Sequence, residues 1–202
     1  MSKGLDMQLN EVQNKVWSRV RSHLDDEQVA SPDHVERMTT WCQKLGQDRN
    51  LDLEALTAGA LVHDIGVTID RKTHYSAGLD LARQILTANG LEQEKVDPAL
   101  HVMEAHSRYG GPEPETAEAQ IAQDADALEY IGAIGIVRAV VRGLNDGSFS
   151  GKAADFPQYL YELLSKVSAS FHTQEAEQYG HSRIAYMQSF LEQMEKELNF
   201  EV

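Results

Sequence analysis

Cysteine occurs once in the 202 residues, at Cys42, so no internal disulfide can brace this fold. A reducing cytoplasm is the compartment that fits such a count. Beside Trp41 and Leu45 the thiol is expected to be buried and inert rather than reactive. Long apolar runs are missing too: none approaches the roughly 18–20 residues that a membrane span needs. The first stretch, MSKGLDMQLNEVQNKVW, has no apolar core followed by a small-residue cleavage site, so no secretory signal is expected. Basic residues are few, 18 Lys and Arg against 32 Asp and Glu, which leaves a formal net charge of −14. Such a surface repels polyanions, because nucleic-acid binding relies on basic groups displacing counterions from phosphates. The expected partners therefore include neither a nucleic-acid polymer nor a membrane. A small phosphorylated substrate stays open, since a bound divalent cation reverses the sign of the local field.

What is present is ordinary globular material, 42% hydrophobic and 25% charged, enough for one well-filled core. A single domain over residues 1–202 is expected. Helix signals recur. Ser31-Pro32 reads as a cap followed by proline at the first helical position, with Gly46 as the stop and Val35, Met38, Cys42 and Leu45 at apolar spacing between them. Asp52 caps the run that carries Leu53, Leu56, Ala60 and His63-Asp64, with Gly66 at its end. A third helix is expected over His74 to Asn89, and Asp97-Pro98 restarts a fourth that leads to His106. The loop Ser107 to Glu115 holds two glycines and two prolines and cannot be regular. Helices follow over Thr116 to Glu129, Gly132 to Leu144, Pro157 to Ala169 and Thr173 to Leu198. Strand alternation is scarce, so the fold class is all-α. In the last helix Ile184, Met187, Leu191, Met194 and Leu198 form a stripe that is expected to pack on the protein's own core, with a homodimer seam as the alternative.

The chemistry lies in histidines and aspartates on otherwise apolar helices. His63-Asp64 ends an apolar run at a helix C-terminus, where an ionised aspartate faces the negative end of the dipole. A bound cation resolves that conflict; a lysine or arginine partner would resolve it equally. His34 lies in the first turn of the preceding helix, and Asp126 interrupts AQIAQDADALEYIGAIGI. Two imidazoles and two carboxylates suit a borderline or hard divalent ion such as Mn, Mg, Fe or Co. The lack of cysteine in the set argues against structural zinc.

His34, then His63-Asp64, then Asp126 reproduces in order the H…HD…D signature of the HD-domain metal-dependent phosphohydrolase superfamily, which the chain resembles. The likeness extends through HSRYG (His106 to Gly110), through QDADALEYIGAIGI within Thr116 to Arg138, and around Thr173, Arg183, Phe190 and Glu197. Those stretches are similar to small stand-alone bacterial HD phosphohydrolases with nucleoside triphosphate diphosphatase activity. The resemblance implies a helical bundle with a central metal site, its core at 31–130 and the helices of 132–200 packed on it. It implies His34, His63, Asp64 and Asp126 as ligands, with either aspartate also able to orient the attacking water. His74 and His106 become candidates for substrate contact, proton donation or a second metal. His101, His23, His172 and His181 carry no such case.

Other branches of the superfamily place acids just after the HD dipeptide to activate water. Here Val67 and Thr68 stand there and Asp70 is the next acid, a further catalytic candidate; no GYP motif is present. Candidates to hold substrate phosphates are Arg37, Lys72, Arg108, Lys166 and Arg183, among the scarce basic residues, with Leu163 where members often have a second lysine. Tyr109 and Tyr130 are candidates to stack on a base, with buried packing the commoner fate of such aromatics. The implied activity is hydrolysis of a nucleotide phosphoanhydride. A phosphomonoesterase, or a non-catalytic domain that keeps its metal and binds a nucleotide or a partner protein, are the alternatives.

Overall fold

The computed structural model describes residues 7–108, 110–167 and 171–201. Every regular element among them is a helix, and none is long and apolar enough to cross a membrane. The all-α expectation holds. Internal contacts divide the chain into two compact units, one ending at Asp126 and one beginning at Ala127.

The first unit opens with a helix ahead of any expected from the sequence, α1 (Glu11–Leu24). Asn10 builds a reciprocal cap: its side chain accepts from the Gln13 N–H at 2.8 Å, and the Gln13 side chain accepts from the Asn10 N–H at 3.0 Å. Val16, Trp17, Val20 and Leu24 then lay one apolar stripe into the core. Next, α2 (Pro32–Gly46) has the expected limits, and α3 (Leu53–Val62) starts on Asp52, whose Oδ1 accepts from the N–H groups of Glu54 and Ala55. The chain leaves α3 at His63 and runs into a short 3-10 turn, Ile65–Thr68, rather than continuing as α-helix to Gly66.

Two expected limits shift for physical reasons. The helix expected over His74 to Asn89 is broken into α4 (His74–Ala77) and α5 (Leu79–Ala88). At the break the backbone of Gly78 lies against Gly66, so close that a Cβ on Gly78 would stand 2.7 Å from the Gly66 Cα. Helix α6 (Gln93–Ala105) begins ahead of Asp97-Pro98 and carries Pro98 inside it. Pro98 costs one backbone donor, and close packing on α3 outweighs it. At that contact Gly59 has room for no side chain, because a Cβ there would meet the Ala99 carbonyl oxygen and the Val102 side chain at 2.6 Å. Residues of α1, α2, α3, α5 and α6 share one core, with Leu61, Val62, Ile65, Leu86 and Met103 fully buried. Helix α7 (Ala117–Glu129) follows, its first turn capped by the Thr116 hydroxyl, which accepts from the Ala119 N–H at 3.2 Å.

In the second unit α8 (Gly132–Asp146) stops at Gly147, whose φ of +77° is the left-handed cap that glycine adopts without strain. After a 3-10 turn at Ala153–Asp155 comes α9 (Phe156–Val167); residues 168–169 of the helix expected there lie outside the described ones. Helix α10 (Gln174–Leu198) is capped by Thr173 and packs on α8 and α9. Met187 and Leu191 of its apolar stripe are fully buried, while Ile184, Met194 and Leu198 are half-buried.

Candidate metal centre

Helix ends bring the histidines together. His63 is the residue at which α3 ends and His106 the one at which α6 ends, and the close contact at Gly59 holds these two helices side by side. Their rings lie 4.9 Å apart and nearly perpendicular. Each turns its Nδ1 back to a last-turn carbonyl left without an intrahelical partner: His63 to Ala60 at 2.8 Å, and His106 to Met103. His74 turns its Nδ1 to the Arg71 carbonyl, in the turn ahead of α4, at 3.1 Å. An Nδ1–H so placed fixes the tautomer and leaves the Nε2 lone pair for a ligand.

All four Nε2 atoms converge on Asp64. Its Oδ2 lies 3.3 Å from His63 and 3.5 Å from His34, while its Oδ1 lies 3.6 Å from His74 and 3.7 Å from His106. One carboxylate thus faces two pairs of imidazoles, and within each pair the Nε2 atoms are 3.3 Å apart. Asp126, from the middle of α7, adds its Oδ1 at 3.5 Å from His34 Nε2. Asp64 is 9% and Asp126 8% exposed, and His34, His63 and His106 are almost fully buried, so bulk water does little to screen this charge.

The donor set fits a divalent cation. In the His74–His106 pair two lone pairs face one another at 3.3 Å, which is repulsive unless positive charge lies between them. The C-terminal ends of α3 and α6 also turn their negative dipole poles toward the cluster. Titration behaviour points the same way. Burial pushes Asp64 up, but the imidazoles of His63, His34 and His106 outweigh it and hold the carboxyl well below its usual range. Burial likewise opposes charge on His63, yet Asp64 and Asp126 raise it. His106 is pushed down to about 3 by burial and by His63, so it stays neutral as a ligand must. Two donor groups result, His34–His63–Asp64 and Asp64–His74–His106, with Asp64 in both.

Other sequence candidates have other engagements. Asp70 is exposed and serves its own turn: Oδ1 accepts from the Lys72 N–H at 2.9 Å and Oδ2 from the Thr73 hydroxyl at 3.0 Å. Arg37 pairs with Asp33 one helical turn away, and Arg108 donates to Asp124 at 3.1 Å. Lys72 is exposed beside the turn into α4. In the second unit Lys166 is exposed on α9, and Arg183 donates to the Leu128 carbonyl at the end of α7. Tyr130 carries the guanidinium groups of Arg138 and Arg142 over its ring, 5.6 and 6.0 Å from the centroid; Tyr109 lies outside the described residues. Gly66, Gly78 and Gln123 shape the site without having been singled out for it. Their only sequence signal was a glycine soon after the HD dipeptide and an amide among the acids of α7.

A helical domain whose elements converge His34, His63-Asp64 and Asp126 is an HD domain. Residues 33–131, about half of the chain, match the HD domain family model. It is 29% identical over 195 residues to YpgQ of Bacillus subtilis, covering 92% of each chain. The crystal structure of YpgQ in complex with ADP superposes with a TM-score of 0.71 at 25% identity, over 92% of this chain and 94% of that one. An HD-superfamily hydrolase from Bacillus thuringiensis is 26% identical with a TM-score of 0.71, over 93% and 96% of the two chains.

Proposed function

We propose that the chain is a metal-dependent phosphohydrolase that cleaves a phosphoanhydride bond of a nucleotide, turning a nucleoside triphosphate into a monophosphate and pyrophosphate. The observation that carries this reading is Asp64 facing two pairs of imidazole nitrogens, a donor set for two divalent ions that share one carboxylate. His34, His63, Asp64 and Asp126 would hold one ion, and Asp64, His74 and His106 the other. Divalent ions held there would supply Lewis acidity, which lowers the pKa of water and offsets charge on phosphoryl oxygens. Mn, Mg, Fe and Co all suit these nitrogen and oxygen donors. The protein's own part is to orient the imidazoles through their Nδ1–H bonds and to keep the cluster largely out of bulk water. A nucleotide as substrate is supported by ADP in the crystal structure of the similar YpgQ.

One observation favours a smaller substrate. Arg37, Arg71 and Arg108 are each paired with a carboxylate, Asp33, Glu27 and Asp124 respectively. Cationic charge is therefore thin for a triphosphate, and a phosphomonoester is the second reading. A panel of nucleoside triphosphates, nucleoside monophosphates and a chromogenic monoester, assayed with Mn, separates the two. Pyrophosphate from triphosphates supports the first reading and orthophosphate from monoesters the second. Silence across the panel overturns both.

A further inference from the structure

Two buried polar side chains of α7 have no part in the donor set, yet both reach the residues that flank His106. Gln123, 6% exposed, donates through Nε2 to the Ala105 carbonyl oxygen at 2.7 Å. Asp124, 0% exposed, accepts through Oδ1 from Arg108 Nη2 at 3.1 Å. Residues 105 and 108 bracket His106, so α7 grips the chain on both sides of this histidine. A third restraint closes the bend, since Gly111 folds back so tightly that a Cβ there would stand 2.8 Å from the carbonyl oxygens of Glu104 and Ser107.

Each grip has a physical cause. The Ala105 carbonyl is among the last four of α6 and has no partner within its own helix, so an amide from α7 satisfies it at the point where the helix must stop and present His106. A carboxylate as deeply buried as Asp124 is tolerated only when paired, and the guanidinium that pairs it comes from the loop it must hold. Gln123 and Asp126 are three residues apart and share a face of α7, while Asp124 lies about 100° round the helix. The helix that places Asp126 against His34 thereby also fixes the backbone around His106.

We propose that Gln123, Asp124 and Arg108 form a positioning clamp that registers the His74–His106 half of the centre against the Asp126–His34 half. In this role Arg108 is a holding residue and not a phosphate contact. The clamp sets where His106 Nε2 stands relative to Asp64, so it governs the second ion far more than the first. This rests on the two-ion reading above.

Equilibrium dialysis of metal-free protein against Co(II), with the ions per chain counted and the visible Co(II) spectrum recorded at each step, tests it. The wild type is expected to take up two ions. Gln123→Met, Asp124→Asn and the doubly neutral Arg108→Gln/Asp124→Asn variant should keep the first ion and its spectrum. Each should bind the second about 10–100-fold more weakly, the scale of losing an outer partner of a metal ligand. Arg108→Lys, which keeps the charge pair with Asp124, should restore part of that loss. If Asp124→Asn fails to fold, the doubly neutral variant and Gln123→Met carry the test. Folded variants that bind both ions as the wild type does overturn the clamp, as does equal weakening of both ions. An Arg108→Gln effect on KM alone, with metal binding intact, also overturns it. A wild type that binds one ion or none overturns the two-ion reading itself, and the clamp with it.

Discussion

A Cβ on Gly66 would stand 1.9 Å from the carbonyl oxygen of His74, so these two backbones touch as only a glycine permits. That contact carries His74 from its place ten residues along the chain to within reach of Asp64. Gly66→Ala should therefore push α4 away and cost about 1–3 kcal/mol of stability, the usual scale of forced overpacking. The variant should lose the ion that depends on His74 while it keeps the one held by His34 and His63. Metal content per chain and a urea unfolding curve check both parts.

Asp70 is the acid nearest the HD dipeptide, yet its oxygens hold the turn into α4, and the Lys72 N–H and Thr73 hydroxyl keep its carboxyl below the usual range. Asp70→Asn should leave turnover nearly unchanged. Removal of a true general base costs about 10²–10⁴-fold, so a fall of that size in steady-state rate would assign Asp70 to the chemistry instead.

Metal affinity should depend on pH with a definite sign. Burial opposes charge on His63, but Asp64 and Asp126 outweigh it and raise His63 above its ordinary 6.5, so in the metal-free centre a proton there competes with a cation. A divalent ion must displace that proton. Its apparent affinity should fall as pH drops below the raised value, by about tenfold per pH unit for one proton displaced, and level off above it. Mn titrations from about pH 6 to about pH 9 read this slope; an affinity that is flat across the range contradicts it.

Cys42 is fully buried beside Met38, and burial followed by the charges of Asp126 and Asp124 raises its thiol. A thiolate is thus strongly disfavoured in the fold. An aromatic disulfide reagent should fail to label the native protein at about pH 8 and should react fully once the chain is unfolded in guanidinium. Rapid native labelling would mean that α2 opens readily.

The helices were legible because their signals are local, and the H…HD…D pattern because its residues follow in order along the chain as they do in the family it resembles. Ser31-Pro32 and Asp52 announce α2 and α3 by their caps, and His63-Asp64 stands out because an acid is out of place at the end of an apolar helix. What escaped is what depends on contact at a distance. Helix α1 was signalled by Asn10 and Gln13 only as a capping pair, with a thin apolar stripe behind it. The break at Gly78 exists because Gly66 lies against it, and no local propensity records that approach. Pro98 looks like a helix start until the packing of Ala99 and Val102 against Gly59 is seen to carry the helix past it. His74 and His106 read as histidines with several uses. Their pairing across 3.3 Å, and the bonds of Gln123 and Asp124 to the residues around His106, are facts of three dimensions.

The most direct test of the centre is turnover of the Asp64→Ala protein. Mn-loaded wild type should release pyrophosphate from a nucleoside triphosphate, and the variant should release none above background while its far-UV circular dichroism and unfolding midpoint show a folded chain. A folded Asp64→Ala protein with a near-normal rate would contradict the account at its core.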